Sequence, residues 1–496
     1  MLLFLIMASC GNKTDEKYYV GSVEFPVHPI IGMKEAMAAH VVPYQRQYEW
    51  QKLEMTAFVH FSINTFTDRE WGTGKESPDL FNPSEFNAEQ WVTTFQDAGM
   101  KMLILTAKHH DGFCLWPTKT TDHSIAHSPW KNGTGDIVRD VKDACSRHGM
   151  KFGIYLSPWD RNAECYGDSP AYNKFFTEQL TELLTLYGKI DEVWFDGACG
   201  EGPNGKKQEY DWEAYYEVVR KLQPDAVIAI MGEDIRWVGT ESGYGRETEW
   251  SVTALAPGGA KTSKEINKKL SLNETVPDLG SAELLQKAEK VFWYPAEVDV
   301  SIRPGWFWHQ AEDSLVKDAR ELTDIYFSSV GRNAVLLLNV PADRRGLITD
   351  ADIKSLKEFR SYLDATFRTD LLSGARPYGN GASNAIDGNN QTSWTPDGKA
   401  VASFVPAISV KFNVALLQED ITKGQRVEYF VIEAMNNDKW DTIAKGTTIG
   451  YKRLLRFPEV TAGEIRLSIL SSRATPNIST FGLFFAPDSL ITTQTD

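Results

Sequence analysis

The sequence lacks several features that mark large classes of proteins. Its 496 residues contain no run of about twenty apolar residues, so no helix is predicted to span a bilayer. Basic residues are too few to balance the acidic ones, and the formal charge is −15. This charge argues against nucleic acid as a partner, because only a local patch could offset the repulsion from phosphate. The single basic cluster, residues 261–269, is interpreted as a solvated surface.

Metal-ligand and cofactor motifs are also missing. Cys114, Cys145, Cys165 and Cys199 are widely spaced and form no CxxC pair, so they predict neither a zinc site nor a disulfide framework. They are interpreted as buried free thiols. There is no HExxH, no GxSxG, no phosphate-binding loop and no dinucleotide-binding glycine motif after a strand. The sequence therefore predicts a protein with no metal and no organic cofactor.

The first residues contain an apolar stretch followed by small residues and Cys10. This pattern resembles a bacterial lipoprotein signal, although the stretch is short and no basic residue precedes it. We expect residues 1–24 to be a signal and tether, with a lipid on Cys10 as the only link to a membrane. The expected location is that of an exported bacterial lipoprotein, in the periplasm or at the outer membrane.

Short apolar runs alternate with helical stretches from residue 56 onward. Regular β-then-α alternation predicts parallel strands joined by crossover helices, and about seven or eight strands in about 300 residues are typical of a (β/α)8-like barrel. We assign residues 25–366 to this barrel. The predicted strands are residues 56–61, 101–107, 151–157, 190–196, 226–230, 291–294 and 334–340, and the predicted helices are residues 91–100, 136–148, 171–187, 211–222 and 350–364.

Polar residues stand at or near the C-terminal ends of successive predicted strands: His60, His109, His110, Tyr155 and Asp196. A closed barrel would bring them to one mouth, where catalytic groups of such folds collect. His109 and His110 are neighbours, and neighbouring strand residues face opposite ways, so they are expected to be a poor pair of metal ligands. Carboxylates among histidines and tryptophans favour sugar hydrolysis, which needs two carboxyl groups flanking a glycosidic bond.

The pattern changes after the helix at 350–364. Short alternating runs separated by turn residues, such as 407–414, 426–433 and 464–470, predict an antiparallel β-sandwich over residues 367–496. Residues 385–389, with Thr392, Ser393 and Trp394, resemble the start of discoidin-like carbohydrate-binding modules. Both sugar binding and simple packing on the barrel remain open for this domain.

Five motifs together resemble glycoside hydrolase family 29, the retaining α-L-fucosidases, over residues 29–363. They are His60-Phe61-Ser62, Glu70-Trp71-Gly72, Lys108-His109-His110-Asp111-Gly112-Phe113, Tyr155-Leu156-Ser157-Pro158-Trp159 and Trp194-Phe195-Asp196-Gly197. The resemblance implies that Asp196 is the catalytic nucleophile. It further implies a fucose pocket lined by His60, Glu70, Trp71, His109, His110, Tyr155, Trp194 and Arg236.

The segment from Arg236 to Gly243, followed by Arg246 to Trp250, resembles the subfamily that removes α-1,3- or α-1,4-linked fucose. In that subfamily Glu241 would be the general acid/base, and Glu233, Glu247 and Glu249 remain alternatives. The implied function is retaining hydrolysis of terminal fucose from branched, Lewis-type glycans through a covalent fucosyl-enzyme. The implied partner is thus a fucosylated oligosaccharide or glycoprotein glycan.

Residues beyond the predicted strand at 291–294 are candidates for contact with the rest of a branched glycan, or for a well-bonded loop: Glu297, Asp299, Ser301, Arg303 and Trp306. Two other functions stay open at this level. The chain could be a retaining glycosidase for a related sugar such as α-galactose, or a non-catalytic glycan-binding lipoprotein. The presence of both Asp196 and Glu241 argues against the second of these.

Overall fold

The computed structural model describes residues 17–487, and the signal predicted around Cys10 lies outside the described residues. Ahead of the barrel the chain forms strands β1 (Tyr19–Val20), β2 (Ser22–Glu24) and β3 (Val41–Val42) and helices α1 (Met33–Ala38) and α2 (Gln45–Gln51). β1 pairs in parallel with β3. Between residues 17 and 487, no helix is both long and apolar enough to cross a membrane.

Ten strands follow, and eight of them form one parallel sheet in the order β8-β7-β6-β5-β4-β13-β12-β9. A bridge between Ala229 and Ile235 links the two edge strands, so the sheet is nearly closed. This confirms the predicted (β/α)8-like barrel. The ten strands are β4 (Met55–Val59), β5 (Met102–Lys108), β6 (Lys151–Leu156), β7 (Glu192–Phe195), β8 (Val227–Ile230), β9 (Arg236–Trp237), β10 (Val252–Thr253), β11 (Lys290–Trp293), β12 (Ala296–Ser301) and β13 (Val335–Asn339).

Most helices of this region begin at a residue whose side chain caps the helix, although the helix after Ala260 does not. Asn87, Asp136, Asp168, Asp211 and Asp318 each accept a hydrogen bond from a first-turn backbone N–H, which satisfies a donor that the helix itself leaves free. The helices are α3 (Ile63–Thr67), α4 (Ala88–Asp97), α5 (Ile137–Arg147), α6 (Ser169–Leu186), α7 (Trp212–Leu222), α8 (Lys261–Leu270), α9 (Ala282–Lys287), α10 (Ala319–Ser328) and α11 (Asp350–Thr366).

One predicted barrel strand is wrong. The run at 291–294 does form β11, but β11 pairs antiparallel with β10 and β2 in a separate three-stranded sheet. The barrel sheet contains β9 and β12 instead, and neither of these strands was predicted. β9 has only two residues, and β12 alternates apolar residues with Glu297, Asp299 and Ser301, so neither reads as a continuous apolar run. Those three polar residues therefore lie within a barrel strand and not in the loop where they were predicted.

The barrel interior contains two buried carboxyl groups. Glu192 on β7 accepts a hydrogen bond from the Trp50 indole N–H at 2.8 Å, and Glu297 on β12 accepts one from the Trp194 indole N–H at 2.8 Å. The charge of Glu192 acts on Glu297, and the second carboxyl oxygen of each group is buried with no hydrogen-bond partner among the described residues. Burial raises the pKa of both groups above the usual carboxyl range.

The chain beyond α11 forms two packed antiparallel sheets, ordered β14-β15-β20-β17-β18 and β19-β16-β21. This confirms the predicted β-sandwich. Its strands are β14 (Arg376–Tyr378), β15 (Val401–Val405), β16 (Val410–Glu419), β17 (Val427–Asn436), β18 (Lys439–Gly446), β19 (Arg453–Ala462), β20 (Ile465–Ser472) and β21 (Ile478–Phe484).

The side chains of the discoidin-like motif in the sandwich make contacts within the domain. Trp394 is fully buried and bridges to Ile478, so its ring offers no platform for a sugar. Asp387 accepts hydrogen bonds from the Asn389 backbone at 2.8 Å and the Thr392 hydroxyl at 2.7 Å. These contacts describe a surface turn, and the nearby Trp394 packs in the sandwich core.

The four cysteines of the described chain are free, as predicted. Cys114 and Cys145 are buried, whereas Cys165 and Cys199 are only half-buried. The prediction of burial is therefore wrong for the latter two, which lie in loops after β6 and β7.

Candidate active site

Asp196 follows β7 directly and lies at the C-terminal end of the barrel. Its Oδ2 accepts a hydrogen bond from the Tyr155 hydroxyl at 3.0 Å, and its Oδ1 accepts one from the Ala198 backbone N–H at 2.7 Å. The side chain is still 25% exposed, so the carboxylate is held in place and remains accessible. Burial and the charge of Asp196 raise the pKa of Tyr155 well above 10, which keeps its hydroxyl a proton donor.

Three histidines border the same pocket. The rings of His60 and His109 lie 5.4 Å apart, the rings of His109 and His110 4.1 Å apart, and His110 Nε2 lies 3.8 Å from Asp196 Oδ2. Burial lowers the pKa of all three, that of His60 to about 3. Each ring is therefore neutral near pH 7 and can offer one donor and one acceptor.

The expectation that His109 and His110 face opposite ways is wrong. β5 ends at Lys108, so both histidines lie beyond the strand, where side chains no longer alternate between faces. Their rings share the pocket, and His109 also stacks on Tyr155 at 5.7 Å. In residues 17–487, even so, no group of three or more His, Cys, Asp or Glu side chains is arranged to hold a metal ion.

Hydrogen bonds fix the proton position on two of these rings. Asn339 donates through Nδ2 to the Trp306 carbonyl at 2.8 Å, so its Oδ1 accepts from His60 Nδ1 at 2.8 Å. The Ser157 hydroxyl donates to the Trp159 carbonyl at 2.7 Å and therefore accepts from His110 Nδ1 at 2.7 Å. Nε2 of His60 and of His110 is consequently left as an acceptor for a ligand hydroxyl.

His109 contributes an unpaired polar atom. Its Nδ1 is buried and has no hydrogen-bond partner among the described residues. A buried polar atom without a partner is costly, and a hydroxyl-bearing ligand would supply the missing partner.

Indole rings form the wall and the floor of the pocket. Trp71 is 57% exposed and meets His110 edge-to-face with ring centroids 5.9 Å apart. Trp306 lies against His60 at 5.1 Å. Trp194 is buried, stacks under Tyr155 at 5.2 Å and directs its N–H to Glu297, deeper in the barrel.

Glu70 contacts the loop after β12, and this loop borders the pocket. Its carboxylate accepts from the backbone N–H of Trp306 at 2.8 Å and of Phe307 at 3.1 Å, and contacts His309 Nε2 at 2.7 Å. Glu70 thus fixes two aromatic residues whose rings touch His60.

Glu241 lies in the loop after β9 and is exposed. Its Oε2 accepts a hydrogen bond from the Trp306 indole N–H at 3.3 Å, which connects it to the wall beside His60. The charges of both carboxylates at the rim of the pocket, Glu241 and Asp196, act on Asp299 of β12. Burial and the charges of Glu241 and Asp196 raise the pKa of Asp299 to about 7, while the Trp237 indole N–H donates to it at 2.7 Å.

The structure does not bring Arg236 to this group. Its guanidinium is fully buried and contacts the Glu249 carboxylate and the Tyr294 and Trp250 carbonyls. The three other glutamates also face arginines: Glu249 lies 3.2 Å from Arg246, Glu247 lies 2.9 Å from Arg332, and Glu233 lies 3.6 Å from Arg220.

Several residues that shape the site were missed from the sequence. Asn339 ends β13, so the strand-end rule that selected Asp196 also applies to it. Ser157 lies just past β6 and is detectable in the same way. Trp306 and Asp299 were predicted only as glycan contacts or as parts of a well-bonded loop, because β12 was not recognised as a barrel strand.

Comparison with known proteins identifies the family. The model of the family described as Alpha-L-fucosidase matches residues 30–366, which is most of the barrel region. The chain belongs to the alpha-L-fucosidase family. It is 41% identical over 464 residues to Alpha-L-fucosidase 1 of Arabidopsis thaliana, an alignment that covers 89% of this chain and 87% of the plant protein.

Solved structures of this family resemble the fold closely. A candidate alpha-L-fucosidase from Bacteroides ovatus is 57% identical with a TM-score of 0.90, covering 97% of this chain and 80% of the other. A family 29 fucosidase of Ruminococcus gnavus, solved in complex with fucose, is 33% identical with a TM-score of 0.80, covering 91% and 96%. The protein is accordingly a glycoside hydrolase of family 29.

The geometry suits the substrate of an alpha-L-fucosidase. Fucose presents hydroxyls that require convergent donors and acceptors, and neutral imidazoles, Tyr155 and the open face of Asp196 supply both. Its C6 methyl group requires an apolar wall, which the aromatic rings around His60 provide. The pocket therefore combines polar recognition with an accessible carboxylate.

Proposed function

We propose that this alpha-L-fucosidase is a retaining enzyme with Asp196 as nucleophile and Glu241 as general acid/base. Asp196 attacks the anomeric carbon and forms a covalent fucosyl-enzyme, while Glu241 donates its proton to the leaving oxygen. Glu241 then takes a proton from the water that attacks the same carbon, which releases fucose and restores Asp196. Two inversions at the carbon give net retention.

The contacts of Asp196 are the observation that carries this proposal. A nucleophile must be fixed and yet reachable, and Asp196 is held by Tyr155 and the Ala198 backbone while one quarter of its side chain stays exposed. Trp71 and His110 border the same opening, so a sugar ring can lie over the carboxylate.

Glu241 is favoured over the alternative glutamates by its surroundings. Glu247 and Glu249 each pair with an arginine, and a carboxylate paired with a cation is a poor proton donor. Burial raises the pKa of Glu233, but its side chain contacts Arg220 and not the pocket wall. Glu241 is exposed and contacts a neutral indole N–H on the pocket wall. Its exposed position also suits a leaving group that is large and branched.

We further propose that the substrate is terminal fucose linked α-1,3 or α-1,4 within branched, Lewis-type glycans. The resemblance of the residues from Arg236 to Trp250 to that subfamily supports this linkage. A comparison of kcat/KM on a Lewis-type trisaccharide, an α-1,2-fucosylated disaccharide and an aryl fucoside tests it. We expect the branched substrate to exceed the α-1,2 substrate, and the reverse order would contradict the proposal.

Product stereochemistry tests the mechanism itself. Proton NMR during the first turnovers of an aryl α-L-fucoside should show the α-anomer of fucose first, with the β-anomer growing only through mutarotation. A first-formed β-anomer would contradict a retaining reaction and a nucleophilic Asp196.

We also propose that the protein is exported as a lipoprotein with its lipid on Cys10. Labelling with a radioactive fatty acid in a bacterial host, with Cys10→Ala as the matched control, tests this. The label should enter the wild-type protein and be lost in the variant. Equal labelling of both, or of neither, would contradict the proposal.

A further inference from the structure

Glu241 lies in a long irregular segment that the β-sandwich helps to hold. This Glu241 segment, residues 238–251, joins β9 to β10 and contains no helix or strand. Backbone groups outside a helix or sheet must find other partners when they are buried. The partners of this segment lie in both domains.

The first half of the segment is fixed by the barrel. The Val238 N–H donates to the Glu297 carbonyl at 2.9 Å, and the Gly245 N–H donates to the Ser328 carbonyl at 2.7 Å. Gly243 has a φ of +84°, and a Cβ there would lie 3.0 Å from Ile325, so only glycine fits this turn. Glu241 therefore lies between two anchored points.

Arg453 of β19 holds the second half from the sandwich side. It comes 206 residues after Glu247, donates through Nη1 to the Glu247 carbonyl at 2.7 Å and pairs through Nη2 with the Glu247 carboxylate. Its side chain is only 2% exposed. A buried arginine that grips both the backbone and the side chain of one residue leaves that residue little freedom.

Thr448 and Gln425 extend the contact along the segment. The Thr448 hydroxyl accepts from the Glu249 N–H at 3.0 Å. Gln425 accepts from the Ser251 N–H at 2.7 Å and donates to the Glu249 carbonyl at 2.9 Å. The sandwich thereby satisfies three polar groups of the segment's backbone, two on Glu249 and one on Ser251.

Asn333 ties these contacts to the barrel. It donates to the Glu249 carbonyl at 3.1 Å and accepts from the Tyr451 backbone N–H at 2.7 Å, and its own N–H donates to the Lys452 carbonyl at 2.9 Å. Barrel, segment and sandwich therefore share one hydrogen-bond network.

From this network we infer that the sandwich positions the general acid/base: Arg453, Thr448 and Gln425 hold the Glu241 segment so that Glu241 reaches the leaving oxygen. The inference rests on the proposed role of Glu241. None of the three residues is placed in contact with the substrate, so they are positioning residues. The sandwich then serves the chemical step and not glycan binding.

The test uses leaving groups that depend differently on proton donation. The phenolate of an activated aryl fucoside leaves with little proton donation from the enzyme. The sugar hydroxyl of a branched oligosaccharide is a poorer leaving group and needs a proton from the general acid. We expect Arg453→Met in the full chain to lower kcat on the oligosaccharide by about 10- to 100-fold, because displacement by about 1 Å is costly. KM for the oligosaccharide and kcat/KM for the aryl fucoside should change little.

Two further variants keep the test decisive. Thr448→Val removes one acceptor with little change of volume and should lower kcat in the same substrate-selective way but less, even if Arg453→Met folds poorly. Arg466→Met breaks an ion pair with Glu433 elsewhere on the sandwich and should leave both substrates unaffected.

Three outcomes would overturn the inference. Equal loss on both substrates in Arg453→Met and also in Thr448→Val would indicate a general loss of folded enzyme. A raised oligosaccharide KM with unchanged kcat would indicate a glycan-binding role, and unchanged kinetics would indicate no role. Failure of the proposed function is distinguishable, because Glu241→Ala would then itself show no dependence on the leaving group.

Discussion

The two carboxylates that face the pocket lie in regions built in different ways. Asp196 immediately follows a barrel strand and is held by Tyr155 on the neighbouring strand and by its own loop. Glu241 lies in an irregular segment whose backbone partners include residues of a second domain about two hundred positions later. Asp196 is thus held by barrel residues alone, whereas the segment that carries Glu241 has contacts in both domains.

This difference has a chemical counterpart. A nucleophile must meet one carbon atom with a defined geometry, and a strand end gives that precision. A proton donor must meet leaving groups of different shapes, and loops are where such adaptation is found. The predictions below separate the two regions, beginning with the largest expected effect.

Asp196→Ala should lower kcat/KM by about 10⁴-fold or more on every fucoside, because no covalent intermediate can form without the carboxylate. Steady-state kinetics on the aryl fucoside and the branched oligosaccharide measure the loss. Activity within tenfold of wild type would assign the nucleophile to another residue.

Glu241→Ala should lower kcat/KM on the oligosaccharide by about 10²- to 10⁴-fold and leave the value for an activated aryl fucoside close to wild type. Glu233→Gln is the matched control, since Glu233 lies beside Arg220 and not at the pocket wall. A larger loss in Glu233→Gln than in Glu241→Ala would indicate that Glu233, and not Glu241, is the general acid/base.

Tyr155→Phe should lower kcat/KM by about 10- to 100-fold on both substrates, since a hydrogen bond to a charged group is worth about 1.5–3 kcal/mol. The loss should be independent of the leaving group, because Tyr155 acts on Asp196. A loss confined to the oligosaccharide would place Tyr155 with the acid/base side.

Glu297→Gln should have its main effect on how the free energy of unfolding depends on pH, and a smaller effect on activity. Burial raises the pKa of Glu297, so the folded protein keeps a proton that the unfolded chain releases above its ordinary pKa of 4.5. The stabilising effect of that proton is present below pH 4.5 and is lost as pH rises toward the raised folded pKa.

Wild-type stability should therefore fall as the pH rises above 4.5 more steeply than that of the variant, whose amide does not ionise. Urea unfolding at several pH values measures the slope. Glu283→Gln, an exposed carboxyl paired with Lys287, is the matched control and should keep the wild-type slope. Parallel slopes for wild type and Glu297→Gln would show that Glu297 is ionised in the fold.

The same contrast explains what could be predicted from the sequence. β5 and β7 each contain an apolar run that is followed by polar residues, so the barrel and the positions of His109, His110 and Asp196 were predictable. The sandwich was predictable from its alternation. The family motifs supplied the remaining candidates for the pocket.

Other features depend on contacts that no local pattern encodes. β9 is two residues long and β12 buries Glu297 and Asp299, so the pattern of these strands is hidden. Arg236 contacts Glu249 in the buried interior, and Arg453 binds Glu247 from 206 residues away in the sequence. Such pairings follow from the assembled fold and not from periodicity.

Trapping the covalent intermediate tests the central claim most directly. Incubation with 2-deoxy-2-fluoro-α-L-fucosyl fluoride, followed by proteolysis and mass spectrometry, identifies the residue that attacks the sugar. We expect one fluorofucosyl group per chain, attached to Asp196, and no label in Asp196→Ala. A label on any other carboxylate, or turnover with no trapped sugar, would contradict the account.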